Sequence, residues 1–278
     1  MHPVLFETTM FGRELSVKSY TFFVVLAALG FVWLAGEIAR GCVLDRRRST
    51  LCLFVGILTA AVGARLVHWL TNPDSFESIR DIVSLDRTNL SAYAGILLEI
   101  PAVWFVARRL NVDRLILADA AAPALAVAIA VARIGCFLNG CCFGVSCGLP
   151  WATRVEVGSE AHLAQVESGQ IGLFDSPEPV HPTQLYDAGA ALIAGLLAVL
   201  MLARSQGRGR AFPLFLLCYT ALRWSFAGLL YDPPSFAVPK WLYAALYMVV
   251  IAVCAVCLLT RRRVKKAGSG TYGAQETS

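Results

Sequence analysis

Three arginines interrupt stretches of sequence that are otherwise apolar: Arg65 in Val-Gly-Ala-Arg-Leu-Val-His-Trp, Arg133 in Ala-Arg-Ile-Gly-Cys-Phe-Leu-Asn-Gly and Arg223 in Tyr-Thr-Ala-Leu-Arg-Trp. A guanidinium stays charged when desolvated and presents a planar fork of donors that fits phosphate oxygens. A charge in an apolar segment is costly, so each marks a functional position that faces a partner or a watery cavity. The acidic residues in or beside such stretches are Glu37, Glu99, Asp119 and Asp187. Pairing with them to fix helix packing is the plainer role open to each arginine. Arg133 and Arg223 together point instead to a phospholipid head group as ligand. Around Arg133 stand Gly135, Asn139-Gly140 and Gly144, and glycines at a helix end allow close backbone approach with amides free to bond an anion.

A second polar group enters an apolar stretch as His181-Pro182-Thr183-Gln184-Leu185-Tyr186-Asp187. Such groups at a membrane boundary are unfavourable unless paired or used, although Pro182 also suits the first turn of a helix. Nine cysteines are present, and Cys136, Cys141, Cys142 and Cys147 cluster in sequence. A disulfide is open to them in an oxidising compartment. Their spacing matches no zinc pattern and no histidine is close in sequence, so no metal and no cofactor is expected.

The elements that must carry these residues are membrane spans. The chain has 278 residues, 57% hydrophobic and 15% charged, more apolar than a soluble core of this length requires. Segments 20–38, 51–70, 90–106, 115–138, 183–202, 211–230 and 238–259 each approach the length of a spanning helix. The expected fold is therefore an all-α integral membrane protein of about seven transmembrane helices. The first span is too long for a cleavable signal peptide and is followed, not preceded, by an arginine cluster.

The net charge is +5, but its placement matters more. Basic residues concentrate in the first, third and fifth connections (Arg40 and Arg46 to Arg48; Arg108, Arg109 and Arg114; Arg204, Arg208 and Arg210) and in the tail (Arg261 to Arg263, Lys265 and Lys266). This alternation predicts an outside N-terminus and a cytoplasmic C-terminus. The basic tail reads as an anchor to anionic membrane lipid, not a nucleic-acid site. One domain is expected over 1–266, with a long outer loop at 139–182 of little regular structure and a disordered tail at 267–278.

Over nearly the whole chain the sequence resembles the prolipoprotein diacylglyceryl transferases of bacterial inner membranes. The strongest matches are Ala-Arg133-Ile-Gly-Cys-Phe-Leu-Asn139-Gly140 followed by Gly144, the His181 to Asp187 segment, and Tyr219-Thr-Ala-Leu-Arg223. Weaker ones are Tyr20, Gly63-Ala-Arg65, Tyr93-Ala-Gly95-Ile-Leu and Asp119-Ala-Ala-Ala-Pro123. The resemblance implies a multi-pass enzyme of the bacterial inner membrane. It would move a diacylglyceryl group from phosphatidylglycerol to the lipobox cysteine of a secreted prolipoprotein, recognised through its signal peptide, and release glycerol phosphate. Arg133 and Arg223 would stabilise charge growing on the phosphate, with Tyr93 and His181 as further catalytic candidates. Tyr20, Arg65, Gly95, Asn139, Gly140, Gly144, Gln184, Tyr186 and Tyr219 would contact substrate.

The chain departs from the family pattern at points that bear on proton transfer. Well-known members have a histidine where this chain has Tyr93, whose phenol, with an ordinary pKa near 10, is a poor base unless strongly tuned. Cys136 and Cys141 stand where many members have Asn and Glu; Ala227 replaces a Glu, and Ala94-Gly95 keeps only the second of two glycines. Other readings of the chain are a head-group transferase with another acceptor, an inactive membrane scaffold, and an anion transporter. The last lacks the paired broken helices or repeats of that class.

Overall fold

A computed structural model describes residues 4–10, 13–71, 92–204, 209–231 and 240–270. Helices occupy each of the seven apolar stretches. They are α1 (Ser19–Gly41), α2 (Arg46–Thr71), α3 (Ala92–Arg109), α4 (Arg114–Asn139), α6 (Thr183–Arg204), α7 (Ala211–Ser225) and α8 (Lys240–Gly270), with a short α5 (Glu160–Glu167) between α4 and α6. Among the described residues, four segments are long and apolar enough to cross a membrane: Ser19–Gly41, Arg46–Leu66, Arg114–Asn139 and Thr183–Arg204. The protein is an α-helical membrane protein.

Four local features add to the sequence reading. Beside the helices there is one hairpin, in which β1 (Val4–Met10) and β2 (Arg13–Lys18) pair antiparallel before α1. The segment alternates polar and apolar residues too briefly to stand out beside the long apolar runs. The 139–182 loop contains α5, capped by Ser159, whose hydroxyl accepts from the His162 amide. The sixth apolar stretch is not one helix, since α7 stops at Ser225 and a 3-10 turn, Ala227–Leu229, follows. The last helix continues through Gly270, past the boundary set at Lys266; residues 271–278 lie outside the described ones.

The chain forms two compact units. In the unit of residues 28–121, α2 and α3 pack through glycines one heptad apart. A Cβ at Gly56 would lie 2.6 Å from Val103, and one at Gly63 would lie 2.6 Å from Leu98, so both positions require the missing side chain. Its two basic turns are built alike. A non-glycine residue takes positive φ (Val43 at 67°, Asn111 at 53°), and an aspartate then caps the next helix. Asp45 accepts from the Arg48 amide, and Asp113 from the Leu115 and Ile116 amides. Arg108 and Arg114 both lie over the Trp104 ring.

The other unit, 1–27 with 122–278, holds the functional motifs. Small residues let α4, α6 and α7 approach closely around Ala122, Ala126, Ala194, Ala198, Ala211 and Phe215. Gly195 faces Ala126 directly. Above this core, Phe143, Val155, Ala161, Ala164 and Val180 form a smaller apolar cluster within the loop. Gln165, buried in α5, closes the loop by donating to the Glu178 carbonyl and accepting from the Glu178 amide. The connection between α4 and α6 is thus folded.

Candidate functional site

Helix α4 ends in a way that its sequence dictates. Gly140 adopts φ 79°, the left-handed conformation that favours glycine. Its amide bonds the Phe137 carbonyl and the next amide, Cys141, reaches back to Cys136 at 3.2 Å, the paired bonds of a Schellman stop. Gly140 therefore has a defined structural task in terminating the helix that carries Arg133, with Asn139 as the last helical residue.

From this stop the chain runs extended between two other segments. The Gly144 amide donates to the His181 carbonyl and the Val145 amide to the Leu229 carbonyl; the amides of His181 and Tyr231 return bonds to Val145 and Phe143. A Cβ on Gly144 would meet Leu229 O at 2.6 Å and His181 at 2.7 Å. The Thr183 hydroxyl and the Gln184 amide group then bond the carbonyls of Cys142 and Cys141 at 2.8 and 2.7 Å. Backbone and side-chain bonds together bring three motifs, far apart in sequence, to one place.

Asp187 lies at their meeting point. Its side chain is 1% exposed, and its Oδ2 lies 2.6 Å from Arg133 Nε and 2.6 Å from Arg223 Nη1. The Tyr219 hydroxyl donates to Oδ1 at 3.0 Å, and its ring stacks on Phe215 one helical turn earlier. One carboxylate thus holds two guanidinium groups from different helices, so two positive charges face one negative charge. The arginines are each about a fifth to a quarter exposed (24% and 21%), so both remain partly accessible beside the buried carboxylate.

A second polar chain lies at the start of α6. Trp151 Nε1 donates to the Tyr186 hydroxyl at 2.8 Å, and that oxygen lies 3.2 Å from His181 Nδ1. The indole can only donate, so the Tyr186 oxygen accepts from it, and the imidazole tautomer decides whether the same oxygen also accepts from Nδ1–H or its hydroxyl donates to Nδ1.

The thiols of Cys136, Cys141 and Cys142 lie within 4.8 Å of one another, each cysteine free. Hydrogen bonds from the Cys136 and Cys141 thiols, and then the Arg133 charge, hold Cys142 well below the ordinary thiol range. The same thiol contacts push Cys141 up. Burial, with the Cys142 charge second, raises the Glu160 carboxyl.

Of the expected site residues, Arg133, Arg223, Tyr219, Gln184, Gly140 and Gly144 are joined through these bonds. His181 and Tyr186 stand beside them, and Tyr20, in the first turn of α1, lies against the Arg133 helix, where a Cβ on Gly135 would be 3.6 Å from the Tyr20 carbonyl oxygen. Arg65, in α2, belongs to the other unit. Tyr93 and Gly95 fall in the first turn of α3, and their side-chain surroundings lie outside the described residues. Sequence reasoning missed Asp187 as the hub. The signal was present, since two arginines in apolar helices demand a carboxylate and Asp187 closes the motif that enters α6.

A family model for prolipoprotein diacylglyceryl transferase matches residues 3–261. The chain belongs to that family. Among curated relatives named phosphatidylglycerol–prolipoprotein diacylglyceryl transferase, one from Streptomyces coelicolor is 29% identical over 269 residues, 93% of this chain and 74% of the relative. Another, from Corynebacterium diphtheriae, is 26% identical over 77% of each chain. One from Frankia alni is 27% identical over 73% of this chain and 52% of the relative. The chain spans about half the length of the Frankia relatives it matches, 52% and 48%. Family membership gives the arginine and tyrosine motifs a common context: the residues gathered around Asp187 are those on which the resemblance rests.

Proposed function

We propose that this chain transfers the diacylglyceryl group of phosphatidylglycerol to the lipobox cysteine thiol of a prolipoprotein, forming a thioether-linked lipid anchor. The observation that carries the reading is the Asp187 cluster, in which two guanidinium groups share one buried carboxylate. The excess positive charge in a low-dielectric site calls for an anion, and the phosphodiester of phosphatidylglycerol supplies one. The proposed setting is the bacterial inner membrane, with seven spans, the N-terminus and the 139–182 cap outside, and the C-terminus in the cytoplasm.

In the reaction the acceptor sulfur attacks the glyceryl carbon. A C–S bond forms, the C–O bond breaks, and its electron pair stays on the phosphate oxygen, so glycerol phosphate leaves. Negative charge on the phosphate rises as the bond breaks, and donors already aimed at it stabilise the transition state more than the ground state. Arg133 and Arg223 take this role, held in place by Asp187 and Tyr219. The thiol proton goes to His181 in this scheme. With a proton on Nδ1 facing Tyr186, Nε2 is left basic. Tyr20, Gln184 and the glycine-rich turn are assigned to the approach to the arginines; on the resemblance alone, Tyr93 is assigned a catalytic role and Gly95 and Arg65 substrate contacts.

The test is transfer itself. Protein reconstituted in phosphatidylglycerol vesicles is given a peptide bearing a lipobox cysteine, and mass spectrometry looks for the added diacylglyceryl mass. The expected result is transfer from phosphatidylglycerol that disappears in Arg133→Ala and Arg223→Ala. A correctly folded chain that transfers nothing to any lipobox peptide overturns the reading.

A further inference from the structure

We propose that Cys136, Cys141 and Cys142 form a trithiolate site for a soft, thiophilic d10 metal ion, Cu(I) or Zn(II). The three Sγ atoms all lie within 4.8 Å of one another. An ion bound to three sulfurs at about 2.3 Å needs them roughly 4 Å apart, so closure requires only small side-chain adjustment. Soft thiolates select this class of ion over harder cations.

The backbone holds this arrangement before any ion arrives. Cys136 sits in the last turn of α4, and the Schellman stop at Gly140 folds the chain back so that the Cys141 amide bonds the Cys136 carbonyl. Cys142 then takes φ 58°, a conformation uncommon for a residue with a side chain. The carbonyls of Cys141 and Cys142 are pinned from α6 by Gln184 and Thr183. Such preorganisation is what a ligand set needs. The geometry also solves the charge problem, because three thiolates around a monovalent or divalent ion carry a net negative charge and the Arg133 guanidinium lies against Cys142. Cys136 is 5% exposed, whereas Cys142 is open to solvent, so an ion has a route in. On binding, each thiol that is still protonated releases its proton as its metal–sulfur bond forms.

The sequence spacing, with two adjacent cysteines five and six residues after the first, matches no familiar zinc pattern. It becomes a ligand set only through the helix stop between them. The site does not depend on the transferase reading, and either can fail while the other stands.

The experiment uses the full chain in detergent, fully reduced and desalted without oxygen, and titrated separately with Cu(I) and Zn(II) against chromophoric competitors. The expected result is one tightly held ion per chain, with an X-ray absorption shell of three sulfurs. Cys142→Ser and Cys141→Ser should each weaken that binding by at least ~100-fold, while Cys147→Ser, outside the triad, leaves it unchanged. Size-exclusion profile and circular dichroism check that each variant is folded. Failure to bind either ion in a one-to-one ratio, or equal binding by folded Cys142→Ser protein, overturns the proposal. So does a sulfur shell that persists when all three cysteines are replaced.

Discussion

Glu37 and Asp187 each lie between two arginines, and exposure is what separates the two clusters. Glu37, 25% exposed, contacts Arg40 at 3.0 Å and Arg46 at 2.8 Å, and those arginines are 69% and 49% exposed. Asp187 is 1% exposed and its arginines about a quarter or less. Around Glu37 water screens the pairs and long side chains lose entropy in forming them, so such pairs contribute about 0–1 kcal/mol each. Around Asp187 there is little water to take over if one partner is lost. Removing one member of a buried pair typically costs roughly 3–5 kcal/mol, because it strands a charge. The same chemical trio is therefore a water-screened pairing at a basic turn in one place and the buried frame of the proposed site in the other.

The contrast is most readily broken at Asp187 itself. Asp187→Asn leaves both guanidinium groups without their carboxylate, and the expected outcome is a loss of folded protein by roughly 3–5 kcal/mol together with loss of lipid transfer. Thermal unfolding in detergent and the lipidation assay read the two effects separately. Arg223→Lys keeps the charge but not the planar fork. It should retain most of the stability and lose most of the transfer, by roughly 10- to 100-fold if the donor geometry matters to the phosphate.

Tyr219→Phe removes one hydrogen bond to a charged acceptor and keeps the ring stacked on Phe215. About 1.5–3 kcal/mol is expected from unfolding measurements. Glu37→Gln, the matched change in the exposed cluster, should alter stability by less than about 1 kcal/mol and leave transfer unchanged.

A last, finer distinction lies within the cysteine cluster. Because the contacts among the three thiols lower Cys142 and raise Cys141, Cys142 should be the more readily alkylated of the two. Its alkylation in metal-free protein should persist as pH falls below about 8.5, the usual thiol pKa, while that of Cys141 should be absent. Peptide mapping after timed labelling at several pH values gives both rates.

Much of this was legible in the sequence for reasons the structure explains. Arg133 and Arg223 stand out because a charge in an apolar helix has few innocent explanations. The seven apolar stretches are visible because backbone groups in lipid must be satisfied within a helix. Asp187 was harder to rank, since Glu37, Glu99 and Asp119 satisfy the same local description and only the packing of α4, α6 and α7 selects among them. Gly140 was read as an anion-binding glycine, whereas its positive φ shows it ending a helix. The cysteines cluster visibly in the sequence but converge only through the helix stop at Gly140, and the Trp151–Tyr186–His181 chain depends on a contact across the 139–182 connection, from Trp151 to Tyr186, which no periodicity encodes. The hairpin and α5 are short and polar, so hydropathy passes over them.

The most direct test of the account is a double-mutant cycle on Arg133 and Arg223 in the lipidation assay. If the two guanidinium groups act as one device around Asp187, Arg133→Ala and Arg223→Ala each abolish most of the transfer, and the double variant is scarcely worse than the poorer single one. Independent, multiplying losses, or transfer retained by either folded single variant, would contradict the claim that this buried cluster is the catalytic frame.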